Sequence, residues 1–271
     1  MKKILAILLA AVAASPLRAG DDFGIWAGAE ASKDFGKKFS VEGGFEFRAE
    51  QNLQQVARWD FSAGGSYKPV KYLKLSAAYV YIYDHSPQEA KENYTQAGKL
   101  NGWNVDHGFW RSKHRFAFDV TGKLPVGRFT FSLRERYQFT HYMATTVQRD
   151  RYRDEAAGGY SGPTYPYEGK NYTEKKLGTD KKSAKNRHYL RSRLQVEYNI
   201  RHCPFTPYAA FEVSNDMGSQ LHLDKKRVTV GGEWKVTKQH RLDFSYLYED
   251  GADDDANGNL HAICVGYKFK F

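Results

Sequence analysis

The sequence predicts an all-β chain: an antiparallel transmembrane β-barrel of 10 to 12 strands, with short periplasmic turns and long extracellular loops. Three observations carry this. Run after run alternates apolar and polar residues with period two, the polar phase holding Arg mid-strand beside Asp or Glu. The connections between runs alternate in length, short then long. The last run, Tyr267-Lys268-Phe269-Lys270-Phe271, alternates to a terminal Phe.

The first segment reads as an export signal rather than as part of the fold. Lys2 and Lys3 precede an apolar stretch, Ile4 to Ala14, which Pro16 ends. Residues 1–19 are read as a signal peptide cut after Ala19, and residues 20–271 as the barrel domain. Removing Lys2, Lys3 and Arg18 lowers the formal charge from +10 to +7. Beyond this stretch no run of about 18 apolar residues exists, which excludes helical membrane spans. Aromatic residues at 15% argue against wholesale disorder.

The strand series opens weakly at Phe23 to Ser32 and becomes plain at Phe39, Val41, Phe45 and Phe47, set against Ser40, Glu42, Glu46 and Arg48. Trp59, Phe61 and Tyr67 continue it against Arg58, Asp60 and Ser66, and then Leu73 to Tyr83. Phe116, Phe118 and Val120 follow, then Phe129 to Phe139, Leu190 to Ile200, Ala209 to Val213, Val228 to Val236, Leu242 to Tyr248 and Ile263 to Phe271. Short connections fall at 34–37, 69–71, 124–127, 203–205 and 237–240. Longer ones fall near 50–57, 85–112, 142–187, 215–226 and 250–260. A soluble sandwich or barrel with its apolar face inward is the alternative home for such strands. The density of charge on the polar face favours a lumen. Residues from 38–49 onward give ten strands. The run 23–32 then lies outside the barrel, inside it, or in an unread pairing. Glu135 interrupts the apolar phase between Leu133 and Tyr137, which a β-bulge or a misread register would explain.

Several of these stretches carry a family resemblance. Trp26, Phe39-Ser40-Val41-Glu42, Phe45-Glu46-Phe47-Arg48, the segment Tyr67 to Leu75, Tyr189 to Leu194 and Val265 to Phe271 together resemble the domain-of-unknown-function 2490 family of outer-membrane barrels. The resemblance implies an outer-membrane protein of a Gram-negative bacterium with no established reaction. Separately, the alternating last strand ending in Phe resembles the assembly signal of bacterial outer-membrane barrels, which implies delivery by the barrel-assembly machinery with Tyr267, Phe269 and Phe271 as that signal.

The candidate functional residues are the charges of the polar phase. Arg58, Arg115, Arg128, Arg134, Arg136, Arg191, Arg193, Arg227 and Arg241 are expected inward, facing Glu42, Glu46, Asp60, Asp119, Glu197, Glu212, Glu233, Asp243 and Glu249. In a narrow barrel such side chains fill the lumen as an internal salt-bridge plug. The competing reading is a narrow anion-favouring passage. The expected function is a non-enzymatic structural or passive outer-membrane barrel. The alternatives are a hydrolase acting on lipid or peptide at the extracellular rim, and a soluble secreted β binding protein. Asp84-His85-Ser86 and Asp106-His107 are the only hints of hydrolase chemistry, and neighbours on a strand point to opposite faces. Asp253 to Gly258 begins like an EF-hand loop, but Cys264 stands where that motif needs a bidentate Glu. Neither metal nor cofactor is expected. Cys203 and Cys264 are read as free thiols. Tyr160, Tyr165, Tyr167 and Tyr172 with Lys175, Lys176, Lys181, Lys182 and Lys185 are read as an exposed loop, or alternatively as a contact for glycans or lipopolysaccharide phosphates. Expected partners are outer-membrane lipid and lipopolysaccharide, and nucleic acid is excluded by export.

Overall fold

A computed structural model describes residues 21–154, 161–218, 220–251 and 259–271. Residues 1–19, read above as a signal peptide, Tyr160 and the Asp253–Gly258 motif lie outside the described residues. The strands are β1 (Asp22–Phe35), β2 (Phe39–Glu50), β3 (Gln55–Val70), β4 (Leu73–Ser86), β5 (Glu89–Tyr94), β6 (Leu100–Asp106), β7 (Phe109–Val126), β8 (Phe129–Tyr142), β9 (Thr145–Arg153), β10 (Tyr165–Tyr167), β11 (Lys170–Tyr172), β12 (Glu174–Lys182), β13 (Lys185–Tyr198), β14 (Phe205–Asp216), β15 (His222–Lys235), β16 (His240–Asp250) and β17 (Leu260–Lys270). The chain divides into two compact units. One comprises residues up to 84 with 112–141 and 186–271, and the other comprises 85–111 with 142–185.

In the first unit a closed barrel runs β1-β17-β16-β15-β14-β13-β8-β7-β4-β3-β2. The alternation seen in the sequence decides which way each side chain points. Phe61 is 52% exposed on the outer face, whereas Asp60 beside it is 8% exposed inside. Phe118, Leu133, Leu194, Phe211 and Phe244 repeat the outward pattern around the wall. The barrel is therefore apolar outside and charged within, the reverse of a soluble barrel.

The run 23–32 takes the third of the expected courses, the unread pairing: it is wall strand β1, which makes eleven strands, within the expected 10 to 12. An odd up-and-down series leaves the first and last strands running the same way, so β1 pairs parallel with β17, from Asp22 opposite Leu260 to Ser32 opposite Lys270. The antiparallel expectation holds for the paired neighbours β1–β2, β2–β3, β3–β4, β13–β14, β14–β15, β15–β16 and β16–β17. Glu135 does not turn inward. It stays among exposed Leu133 and Tyr137, and Ser192 Oγ of β13 donates to its carboxylate at 2.6 Å.

The connection at 50–57 shrinks to a turn. Gln51, Asn52 and Leu53 all take positive φ, 54°, 54° and 67°. That conformation is costly for L-residues. Asp22 offsets the cost by accepting the amides of Gln51 at 3.0 Å and Asn52 at 2.8 Å.

The second unit contains strands where loops were expected. β12, β9, β6 and β5 form a four-stranded sheet, and β10–β11 a hairpin. Val105, Tyr152 and Tyr172 are its buried cluster, with Trp103, Tyr165 and Tyr167 packed against them. Tyr152 stacks on Tyr167 at 4.7 Å between ring centroids. Trp103 Nε1 donates to the Tyr172 hydroxyl at 2.9 Å. These tyrosines form a core and are not an open aromatic surface.

Candidate functional site

The barrel interior has two levels. Toward the end from which the long connections leave, inward positions interlock. Arg58 holds Asp60 with both guanidinium arms at 2.6 Å. Glu212, 5% exposed, is shared by three arginines: Arg134 at 2.6 Å, Arg191, and Arg227 at 3.6 Å. Arg227 also binds Glu249, itself 4% exposed. Arg191 reaches Gln138 at 3.1 Å, and Arg115 donates to Thr140 at 3.3 Å. Trp26 closes this level. Arg48 lies over its ring at 3.6 Å and Arg227 at 5.3 Å, while its Nε1 donates to Glu50 at 3.1 Å. Buried Ile82 and Leu247 add apolar filling.

Toward the short-turn end the lumen opens into a polar cavity of about 590 Å³. Asp119, Arg134, Arg136, Arg193, Glu197, Glu233 and Arg241 all line it. Arg136 and Asp119 form a two-armed pair at 2.6 and 2.7 Å. Glu233 joins Arg241 at 2.8 Å and Lys268 at 3.0 Å. Asp243 accepts from the Tyr208 hydroxyl at 2.9 Å. Arg193 gives one nitrogen to Gln195 at 2.9 Å, and Gln195 in turn holds Glu197 at 2.8 Å.

The inward phase of the strands, as the alternation predicts, brings Arg58, Asp60, Arg115, Asp119, Arg134, Arg136, Arg191, Arg193, Glu197, Arg227, Glu233, Arg241 and Asp243 together in one lumen; the same prediction fails in part. It misplaces Arg128, which is exposed at the β7–β8 turn and donates to Tyr198 at 3.3 Å. It overlooks Trp26, Arg48 and Glu50. It also overlooks the lysines Lys74 and Lys268 of the cavity and Lys113, which pairs with Asp84. All of these occupy the same inward phase, so counting Lys and Trp along with Arg was the available signal. Tyr267 and Phe269 lie outward on β17, Tyr267 stacked with His240. Phe271 follows the strand, 66% exposed, its amide bonded to Ser32 at 2.9 Å.

Asp84 is spent on Lys113. His107 pairs with Asp150 at 3.2 Å rather than with its chain neighbour Asp106. Asp150 also takes Lys175 at 3.0 Å. Asp106 belongs to a separate network in the second unit, bound by Arg149 and by Lys182 at 2.5 Å, with Asp180 bridging to Arg149 at 2.7 Å. Desolvation pushes the Asp106 carboxyl up, but the hydrogen bonds from Arg149 and Lys182 outweigh it and hold its pKa at about 2. Among the described residues no group of His, Cys, Asp and Glu is placed to hold a metal ion. Cys203 and Cys264 are both free.

Comparison with curated proteins found no match. The family model described as "Protein of unknown function (DUF2490)" matches residues 23–259, from the first barrel strand to the approach of the last. By that match the chain belongs to the DUF2490 family.

Proposed function

We propose that this chain is an exported outer-membrane β-barrel whose lumen is held shut by its own side chains, and that it works without chemistry of its own. The observation that carries the reading is the inverted wall. Exposed Phe61, Phe118, Leu133, Phe211 and Phe244 belong to a band of apolar residues around the outside. The interior is occupied by paired charges such as Arg58–Asp60 and Arg191–Glu212. A soluble protein does not expose apolar surface all round its wall, and a bilayer supplies the solvent such a surface needs. The charged and then apolar run at residues 2–14 supports export by the same route. Tyr–His pairs on the outer face, Tyr79–His114 and Tyr137–His188, each joined at 2.7 Å, suit the aromatic girdles of a membrane wall.

The blocked level around Glu212 and Trp26 supports a structural or very weakly conducting barrel over an open porin. The test is the purified full chain in detergent and in planar bilayers. The expected result is heat-modifiable gel migration, recovery in the outer-membrane fraction and no ohmic single-channel step. Identical migration with and without boiling, together with soluble periplasmic recovery, overturns the membrane reading. A stable open conductance overturns the plug.

A further inference from the structure

We propose that the short-turn half of the lumen is a binding site for a compact oxyanion, a phosphate or carboxylate group, seated on Arg134 and Arg193. Arg136 has Asp119 to itself, and Arg227 has Glu249. Of Arg134, Arg191 and Arg193 on the adjacent strands β8 and β13, Glu212 forms ion pairs with the first two while also serving Arg227, and Asp243 acts on Arg193 only from beyond ion-pair distance. The polar partner of Arg193 is the neutral amide of Gln195. The Nε groups of Arg134 and of Arg193 are both buried without any hydrogen-bond partner. A buried donor left unpaired is costly, and a guanidinium satisfies it best with an oxyanion.

Access and size agree. Arg134 and Arg193 both line the cavity of about 590 Å³, whereas Arg191 stands behind it in the blocked level. That volume lies in the range of small-molecule sites. On the β1 and β2 side of the same cavity stand Glu30 and Glu42, flanked by Lys268 of β17 and Lys74 of β4, so an extended polyanion meets carboxylates there. A single compact oxyanion on the β8–β13 side does not. The proposal rests on the barrel interior alone, so it stands or falls separately from the membrane reading.

The test is calorimetric titration of the full-length detergent-folded protein with inorganic phosphate, and in a parallel arm with dihexanoyl phosphatidic acid. The expected result is saturable binding that Arg193→Gln weakens by about tenfold or more, the loss of one charge-assisted contact. Lys74→Gln, across the cavity, is expected to change it less than about twofold. Arg193 is in no ion pair with a carboxylate, so its replacement leaves the ion pairs around Glu212 intact, and an unchanged circular-dichroism spectrum confirms folding. Arg134→Lys serves as a second variant and is expected to weaken binding while keeping the charge on Glu212. The tighter of the two ligands identifies whether the oxyanion comes from a free solute or a lipid headgroup. Absence of saturable binding for both ligands overturns the proposal. So does equal weakening by Arg193→Gln and Lys74→Gln, which marks unspecific attraction to a basic vestibule.

Discussion

Replacing Glu212 by Gln tests the plug at its most heavily shared point. The carboxylate is 5% exposed and serves Arg134 at 2.6 Å, Arg191, and Arg227 at 3.6 Å. The amide preserves volume, so packing is held constant while one charge disappears. Two unit charges about 4 Å apart attract by about 4 kcal/mol at an effective dielectric of ~20. Removing one partner of a buried pair costs about 3–5 kcal/mol, because the other charge is left uncompensated. Arg227 retains Glu249, so Arg134 and Arg191 bear the loss. At roughly 2–4 °C per kcal/mol the melting temperature should fall by about 6–20 °C. The assay is conversion of the folded to the unfolded gel band along a temperature series, checked by circular dichroism. The internal control is Asp34→Asn at the rim. Asp34 pairs with Lys270 at 2.6 Å, but their side chains are 39% and 44% exposed, so the change should cost no more than about 1 kcal/mol. A Glu212→Gln shift no larger than the Asp34→Asn shift refutes the reasoning, because the lumen would then solvate its arginines as water does at the rim.

Other outcomes follow from the same contacts. Trp26→Ala should cost about 3–5 kcal/mol by opening a space among Leu247, Leu260 and Ala262 and by uncovering Arg48, read in the same melts. Asp22→Ala should raise amide exchange at Gln51 and Asn52 and lower stability by about 1–2 kcal/mol, since a left-handed turn loses its acceptor. Gly102→Ala should disrupt the β6–β9 pairing, because at φ 154° an added Cβ would sit 1.8 Å from the Tyr152 carbonyl oxygen; proteolysis within residues 85–111 or 142–185 reports it. Asp106 has a folded pKa of about 2 against an ordinary 3.8, so its contribution is full above pH ~4 and is lost as the pH falls from there toward about 2. Hydrogen exchange of β6 and β9 amides should accelerate across that window, and Asp106→Asn should reduce the acid dependence, leaving the part carried by Asp150, whose carboxyl, against desolvation, Lys175 and His107 also hold low.

The barrel strands were legible wherever the outer face is bulky. Phe129, Phe131 and Leu133 announce β8 because each must present apolar surface outward while Thr130, Ser132 and Arg134 fill the lumen. β1 was faint for two reasons. Its outward phase runs through Ala27, Ala29 and Ala31, and its inward phase holds a tryptophan. β9 and β12 were not legible at all. Sequences such as Glu174-Lys175-Lys176-Leu177-Gly178 carry charge on both phases, because this sheet buries only a small cluster and stabilises its faces with pairs such as Arg149–Asp106. The lumen charges could be read by parity alone as far as the ladder constrains them. Arg128 departs from the lumen because it lies in the exposed turn before β8, where its guanidinium reaches the Tyr198 hydroxyl at 3.3 Å instead. Which acid each arginine meets was beyond the sequence, since Glu212 is 78 residues from Arg134 and only the closed wall brings them together.

The seam between first and last strands follows from the odd count and shows how the wall and the filling depend on each other. A parallel pair has slanted hydrogen bonds and is slightly weaker per residue than an antiparallel one. Here it closes the barrel over eleven register pairs, from Asp22–Leu260 to Ser32–Lys270. The apolar cluster of the lumen lies along this seam: Trp26 from β1, Leu260 and Ala262 from β17, and Leu247 from the adjacent β16. The two arginines over the Trp26 ring come from the flanking wall, Arg48 on β2 next to β1 and Arg227 on β15 two strands beyond β17. Burying one large ring at the weakest junction, under cations that are themselves paired to Glu46 and Glu249, ties that junction to the ion network that fills the upper lumen. These paired side chains therefore do more than fill space in the lumen, since they reach across the only parallel joint among the described strand pairs of the barrel.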